Sequence, residues 1–489
     1  MMLFGYPAIF TTIFACMQYA TAGSIPKVGG NEGLNNGNMV PSIAEKLVDF
    51  LRKSQEETEG GKLWVFLVSG VKTMERMAYA TESDISRTYQ IAKQHGIPDE
   101  RIIVFMHDVA GPLFNNTLYN EVGGPNVYEG VPKDYTGEHW TMDNFYSVLK
   151  GKEMKVGSKK TLSSGPNDRI FLSFESHGDI EVSMFGDESL EALRLIDTLE
   201  QIHDMNRYNK MVIYWMTCFS GSMFRKYRER YENINIYAVS SQTPYKSSLA
   251  CRQFVDTTPI HTPMCSVFGK NWMSYVESIN TNDKTMQSLY MNSVIGTIKE
   301  TSGFQVPMEW GQTNLDHIKI SEFTGKEQKP KLSAEINWNA QPKMSMHSTG
   351  LCDDLQYQLE SKLKTSRSFE EFQMIKSKLK ALKTTKVMIT RKVKQIFKES
   401  IFLERPADRY VSPAHIFAKT WQDAYDEMSA TEMNDCYHVM VNSFQVKCTS
   451  NLPRKDWCLV MPPMKILMPL CTEGISLDSF NMAIETHCA

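Results

Sequence analysis

The sequence predicts an α/β fold, a mostly parallel sheet with helices on both faces, followed by an all-helical C-terminal region. Three observations carry this. Short apolar runs recur between residues 63 and 241, separated by longer amphipathic stretches, which is the pattern of strands crossed over by helices. The runs are nearly continuous in apolar residues rather than alternating, as strands buried on both faces are. From residue 351 onward the strand-like runs give way to helical periodicity.

In chain order, LWVFLVSG (63–70), RIIVFM (101–106), RIFLSFES (169–176), KMVIYWMT (210–217) and INIYAVSS (234–241) are the expected strands. Residues 81–95 and 187–209 carry helical periodicity. Residues 112–166 are rich in turn formers and aromatics, and a long ordered loop in an α/β protein usually shapes a site. After about residue 305 periodicity fades and Pro, Lys and polar residues collect, so 306–350 reads as a linker. The domains expected are thus a signal peptide (1–22), an N-terminal propeptide (23–61), an α/β domain (62–305), a linker (306–350) and a helical C-terminal region (351–489). Within 362–398 twelve Lys or Arg face two acids, Glu370 and Glu371. That run is either a solvated helix face or a basic strap that docks on an acidic domain.

Composition narrows the class. With 489 residues, 42% hydrophobic and 22% charged, the chain has the makings of a globular protein of two or three domains. A net charge of −3 gives no global basic field for nucleic acid. Residues 3–20 are uncharged and apolar-rich, contain Pro7 and end at Ala20-Thr21-Ala22, which fits a cleaved signal peptide better than a span. No later stretch suits a stable membrane span. The secretory pathway, ending in a lysosome, vacuole or the extracellular space, is the expected location. There Asn115 of Asn115-Asn116-Thr117 is a candidate glycosylation site, and disulfides form among the nine cysteines left after Cys16. None of these has zinc-site spacing, and no phosphate-loop, dinucleotide or HExxH motif occurs, so no metal or cofactor is expected.

The candidate chemistry lies at two strand ends. His177, followed by Gly178, comes after the run at 169, and Cys218 comes after the run at 210, where open α/β sheets place reactive groups. A thiol becomes a nucleophile beside a base, and His177 can be that base. The N–H groups of Gly178 and Cys218 can form an oxyanion hole. His95, His107 and His203 read as surface or satisfied residues.

These residues resemble a known family. Ser176-His177-Gly178-Asp179, Cys218 with Ser220-Gly221-Ser222-Met223, and Gly130-Val131-Pro132-Lys133-Asp134-Tyr135-Thr136-Gly137-Glu138 are together similar to the legumain family of asparaginyl endopeptidases, in the clan that also holds caspases. Gly96-Ile97-Pro98-Asp99-Glu100, Ser164-Gly165-Pro166, Ser247-Ser248 with Ala250-Cys251, and Asn271-Trp272-Met273 extend the match over roughly residues 63 to 280. The resemblance implies a caspase-like sheet, a Cys218/His177 dyad forming an acyl-enzyme, and peptide or protein substrates. It also implies a helical prodomain capping the site, with bridges Cys436–Cys471 and Cys448–Cys488. The basic strap then suggests an acid trigger: carboxylates with lowered pKa hold it near neutral pH and release it when protonated.

The pocket departs from the family. Where the family has an Asn and an Arg after the first strand, this chain has Ala78 and Ala80. Met216 replaces a Glu two residues before the Cys, Ser266 replaces an Asp, and Ser176 replaces the Asp before the His-Gly pair. With Ala80, Met216, Ser266, Ser247 and Ser248 as substrate-binding candidates, the pocket is expected to be less charged and more apolar, and P1, the residue preceding the scissile bond, need not be Asn. Asn337 and Asn339 are self-cleavage sites only where Asn specificity survives. Two classes stay open: a legumain-like cysteine endopeptidase zymogen with altered P1 specificity, and an inert pseudoprotease acting as a binding or inhibitory module. A transamidase subunit that attaches lipid anchors is disfavoured by the GVPKDYTGE run and the bridged tail.

Overall fold

The computed structural model describes residues 61–325 and 368–488, apart from 73–75, 252–253, 258–259, 316, 407–418 and 450–462, with scattered positions between 356 and 366. All belong to one unit, Glu57–Ala489. The expected signal peptide, the propeptide up to residue 60, Asn337, Asn339, Cys352 and Cys458 lie outside the described residues.

Six strands build the main sheet: β1 (Leu63–Ser69), β2 (Ile102–Phe105), β3 (Arg169–Glu175), β4 (Lys210–Met216), β5 (Ile236–Ser240) and β6 (Met308–Gly311). Their order is β6-β5-β4-β3-β1-β2, parallel throughout except for β6 against β5. The five apolar runs land on the first five strands. β6 overturns the boundary expected at 305, because four residues are too few to show a period and their partner comes from β5. A further short helix, Ser321–Thr324, buries Phe323 in the same domain.

The continuous apolar character of the strands has a direct cause. Leu63, Val65 and Leu67 of β1 enter one core with Val212, Tyr214 and Met216 of β4. Trp64, Phe66 and Val68 enter the opposite core with Met211, Ile213 and Trp215. Helices α1 (Arg76–Gln94), α4 (Val267–Ser278) and α5 (Met286–Glu300) cover the first face; α2 (Met142–Leu149) and α3 (Ala192–Asp204) cover the second. The helix expected over 187–209 is shorter, since 188–191 pairs with 182–185 in a small antiparallel sheet that also takes 178–179. Trp215 stacks on Phe174 at 4.1 Å and donates to Ser183 Oγ at 2.8 Å, tying that small sheet to the main one.

The GVPKDYTGE run is a structural latch. Asp134 accepts the N–H of Val104 at 2.9 Å and pairs with Lys160 at 3.1 Å, while Tyr135 stacks on Phe105 at 4.9 Å. The run thereby covers the open edge of β2. Asn115 is exposed.

The C-terminal region is helical: α6 (Phe369–Glu404), α7 (Val439–Cys448) and α8 (Leu477–Cys488), with shorter turns between. Ser368 caps α6 by accepting from the Glu371 N–H. One face of α6 buries Ile389, Val393, Ile396, Phe397 and Ile401 in a third core. Lys376, Lys378, Lys380, Lys383, Arg391, Lys394 and Lys398 are exposed, so this basic run is a solvated helix face rather than a docking strap. Cys436–Cys471 and Cys448–Cys488 are bridged as the resemblance implied, and Cys251–Cys265, left open by the sequence, is bridged too. Among the described residues Cys218 is the cysteine outside these bridges.

Candidate active site

β3 and β4 are neighbours with Glu175 opposite Met216, and the Ser176 N–H donates to the Met216 carbonyl at 3.2 Å. His177 and Cys218 each lie two residues further on, so strands spaced about 4.8 Å apart bring them side by side. Both are buried, at 6% and 4% exposure. A Cβ on Gly178 would lie 2.6 Å from the Cys218 carbonyl oxygen and 2.8 Å from Thr217 Oγ1. The His-Gly turn can approach the Cys turn this closely only because residue 178 lacks a Cβ.

Several contacts fix the two turns. Ser176 Oγ donates to the Met184 carbonyl at 2.8 Å, and the Met184 N–H donates to the His177 carbonyl at 2.9 Å. After Cys218 the chain turns sharply. Phe219 adopts φ 54°, a left-handed conformation that a bulky residue rarely takes, and its N–H donates to the Lys246 carbonyl at 2.8 Å.

Beside the pair opens a cleft lined by His177, Cys218, Glu175, Met216, Ser248 and Ser266, with Met77, Leu249 and Gln305 completing the wall. Gln305 holds this wall together, donating to the Ser241 carbonyl at 2.8 Å and accepting the Leu249 N–H at 2.9 Å. Met216, Ser248 and Ser266 are therefore where the sequence placed them. Ala80 and Ser247 are not. Ala80 is fully buried in α1, and Met77, one turn earlier, lines the cleft instead. Ser247 is turned so that its carbonyl accepts the Gln242 amide at 2.9 Å.

The cleft is also more acidic than expected. Glu175 shares the face of its strand with His177 and is 2% exposed. Its neighbour Asp84, on α1, accepts the Ser266 N–H at 2.9 Å, the Ser266 hydroxyl at 2.6 Å and the Asn120 amide at 2.6 Å. Burial pushes Glu175 well above the usual carboxylate range, and the Asp84 charge adds to it. Asp84 is also raised by burial, its hydrogen bonds opposing the shift. Sequence reading passed over Glu175 as part of a strand, although a carboxyl inside an apolar run was the available signal.

The C-terminal helices pack on the rim of this site. Lys465 pairs with Asp179 at 2.6 Å, and its ammonium lies 3.6 Å from the centre of the Phe219 ring. Asp179 and Phe219 are close neighbours in sequence of His177 and Cys218. Asp426 takes Arg225 at 2.7 Å and the Tyr245 hydroxyl at 2.6 Å, Asn434 donates to the Tyr227 hydroxyl at 3.0 Å, and Ile180 and Val182 enter the third core. Neither of these ion pairs involves 362–398. Glu181 is buried in this seam and burial raises it to about 8. A carboxyl raised in the docked state favours docking in acid, which is the reverse of the release expected from lowered carboxylates.

With this geometry in hand, comparison with known proteins is specific. The Peptidase C13 family profile matches residues 63–326. Legumain from Rattus norvegicus is 30% identical over 437 residues, covering 88% of this chain and 93% of that one. Legumain from Homo sapiens is 28% identical over 438 residues, covering 88% and 94%. The vacuolar-processing enzyme delta-isozyme of Arabidopsis thaliana is 28% identical over 458 residues, covering 89% and 92%. A caspase-1 structure from Spodoptera frugiperda overlaps 55% of this chain and 91% of its own at 11% identity and a TM-score of 0.32, which adds nothing to the assignment. On the family match and the length of these alignments, the chain belongs to the Peptidase C13 family and is a legumain-like cysteine endopeptidase.

Proposed function

We propose that the chain is the zymogen of a Cys218/His177 endopeptidase with a P1 preference shifted away from Asn, routed through the secretory pathway to an acidic lysosomal or vacuolar compartment. His177 takes the Cys218 proton, and the sulfur attacks the peptide carbonyl. The oxygen of the tetrahedral intermediate is held by the N–H groups of Gly178 and Cys218. The amine leaves with the proton from His177, and water, deprotonated by the same imidazole, hydrolyses the thioester and restores the thiol. The observation that carries this is the register that sets Glu175 opposite Met216 and so brings His177 and Cys218 to one place. The altered pocket supports a changed preference, and the helices seated beside Asp179 and Phe219 support a cap that must leave before a peptide binds. A relative named for vacuolar processing and the N-terminal apolar run support the route.

The test is labelling with a thiol-directed peptide electrophile after acid treatment, beside Cys218→Ala and His177→Ala. Selective labelling lost in both variants is the expected result. A folded, uncapped wild-type protein that takes no label would sink the reading and leave a pseudoprotease.

A further inference from the structure

We infer that Glu175 makes the cleft a receptor for a basic P1 side chain, so that the endopeptidase proposed above cleaves after Arg or Lys. The inference rests on that reading for its reaction, but on separate residues for its argument.

Every hydroxyl lining the cleft is already committed as a donor. Ser176 donates to the Met184 carbonyl, Thr217 to the Cys218 carbonyl at 3.1 Å, Ser248 to the Thr217 carbonyl at 2.8 Å, and Ser266 to Asp84. Ser241 lies 2.9 Å from Ser248 and 3.3 Å from the Thr217 carbonyl. The cleft therefore offers acceptors. Foremost is Glu175, buried and facing the cleft, its carboxyl set against Asp84 and Ser266 and, among the described residues, against no Lys or Arg. Because the Ser266 hydroxyl is held by Asp84, the remaining neighbour of Glu175 is the Asp84 carboxyl, which satisfies it only by sharing a proton.

The charge nearby is not neutralised from within the cleft. Among the described residues no Lys or Arg lines it. Arg87, one turn beyond Asp84 on α1, is spent on Glu277, on Asn120 at 3.0 Å and on Ser274 at 3.2 Å. His177 is the other titratable group on the wall and serves the sulfur.

A guanidinium or ammonium is all donors and positive, and so complements a cleft in which two adjacent buried carboxyls, sharing one proton, keep a negative charge that no cation on the wall offsets. Met77, Met216 and Leu249 supply the apolar sleeve that an Arg or Lys stem needs. A carboxamide or an apolar side chain fits less well, since neither brings a positive charge to the Glu175–Asp84 pair.

Two measurements test this. The first is cleavage by the acid-processed protein of fluorogenic peptides differing only at P1, with Arg, Lys, Asn or Ala. Arg and Lys should exceed Asn and Ala by about 10²-fold in kcat/KM, and the Arg-to-Ala ratio should collapse toward one in Glu175→Gln. The second is calorimetric binding of agmatine to Cys218→Ala protein uncapped by acid treatment, which needs no turnover. Agmatine should bind, and propionamide at the same concentration should not. Equal cleavage after Asn or Ala would overturn the inference while the endopeptidase stands. Agmatine binding in a protein that cleaves nothing would uphold the inference and overturn the endopeptidase. Absence of agmatine binding would overturn the inference directly, without relying on any Glu175 variant folding.

Discussion

Acid should loosen the C-terminal helical module while the catalytic unit holds, and His438 supplies the magnitude. His438 ends the turn that precedes α7, with its Nε2 buried and without a hydrogen bond. Burial lowers the ring from 6.5 to about 4. The folded module therefore refuses a proton that the unfolded chain takes up. Stability from this group is complete above pH 6.5 and is lost as pH falls toward 4. At ~1.4 kcal/mol per unit, the loss is about 2 kcal/mol by pH 5 and about 3 kcal/mol by pH 4. The catalytic unit runs the other way. Glu82, which accepts the N–H groups of Val109, Ala110 and Gly111, is raised to about 7 by burial, so its cost is absent below pH 4.5 and grows as pH rises through 7. Glu181 in the seam behaves alike and opposes undocking in acid, which leaves weakening of the module itself as the trigger. Hydrogen exchange on the full chain, corrected for intrinsic rate, reads this out. Protection in α7 and α8 should fall between neutral pH and about pH 5 while that in β4 is kept, and His438→Leu should flatten the fall. If wild type and His438→Leu lose protection equally, the reasoning fails.

Two further outcomes follow from the contacts beside the dyad. Gly178→Ala places a Cβ against the Cys218 carbonyl, forces the two turns apart and should lower both the melting temperature and, by about 10²-fold or more, kcat; unchanged turnover would mean that the two turns are not held together. Lys465→Met leaves Asp179 buried without its cation and should weaken docking by about 3–5 kcal/mol. Iodoacetamide should then label Cys218 in the full chain faster at neutral pH, and an unaltered rate would exclude Lys465 as a holding contact.

The sheet was legible because burial on two faces writes itself into sequence as unbroken apolar runs, and five of six strands stand where those runs do. β6 was not, since Met308–Gly311 is made a strand by β5 rather than by its own pattern. The meeting of His177 and Cys218 at one end of the sheet was legible for a related reason: a His-Gly and a Cys each follow a strand, and parallel pairing does the rest. Ala80 was misplaced because it was assigned by alignment with the family's pocket Arg, and an alanine at that position of α1 is too short to reach the cleft that Met77 lines. Docking was misread on charge density. Twelve basic residues in 362–398 drew attention that belongs to contacts such as Lys465–Asp179, where an exposure of only 6% at Lys465 makes its charge count while the run on α6 is screened by water.

The same distinction governs the cleft. Counting substitutions against the family pattern gives a pocket that has lost its charges, because Ala80, Met216 and Ser266 are all less polar than what they replace. Counting what faces the cavity gives a different result, since Glu175 lies on the face that β3 shares with His177, and Asp84 comes in behind it from α1. Neither carboxyl stands at a position that the motifs mark. A pocket's character is set by which donors and acceptors remain uncommitted after the protein has satisfied itself. Here the serines are bound to carbonyls and to Asp84, and what is left over is an acid. Substrate choice is therefore expected to track Glu175→Gln far more than substitution at Ala80, whose side chain the cleft never meets.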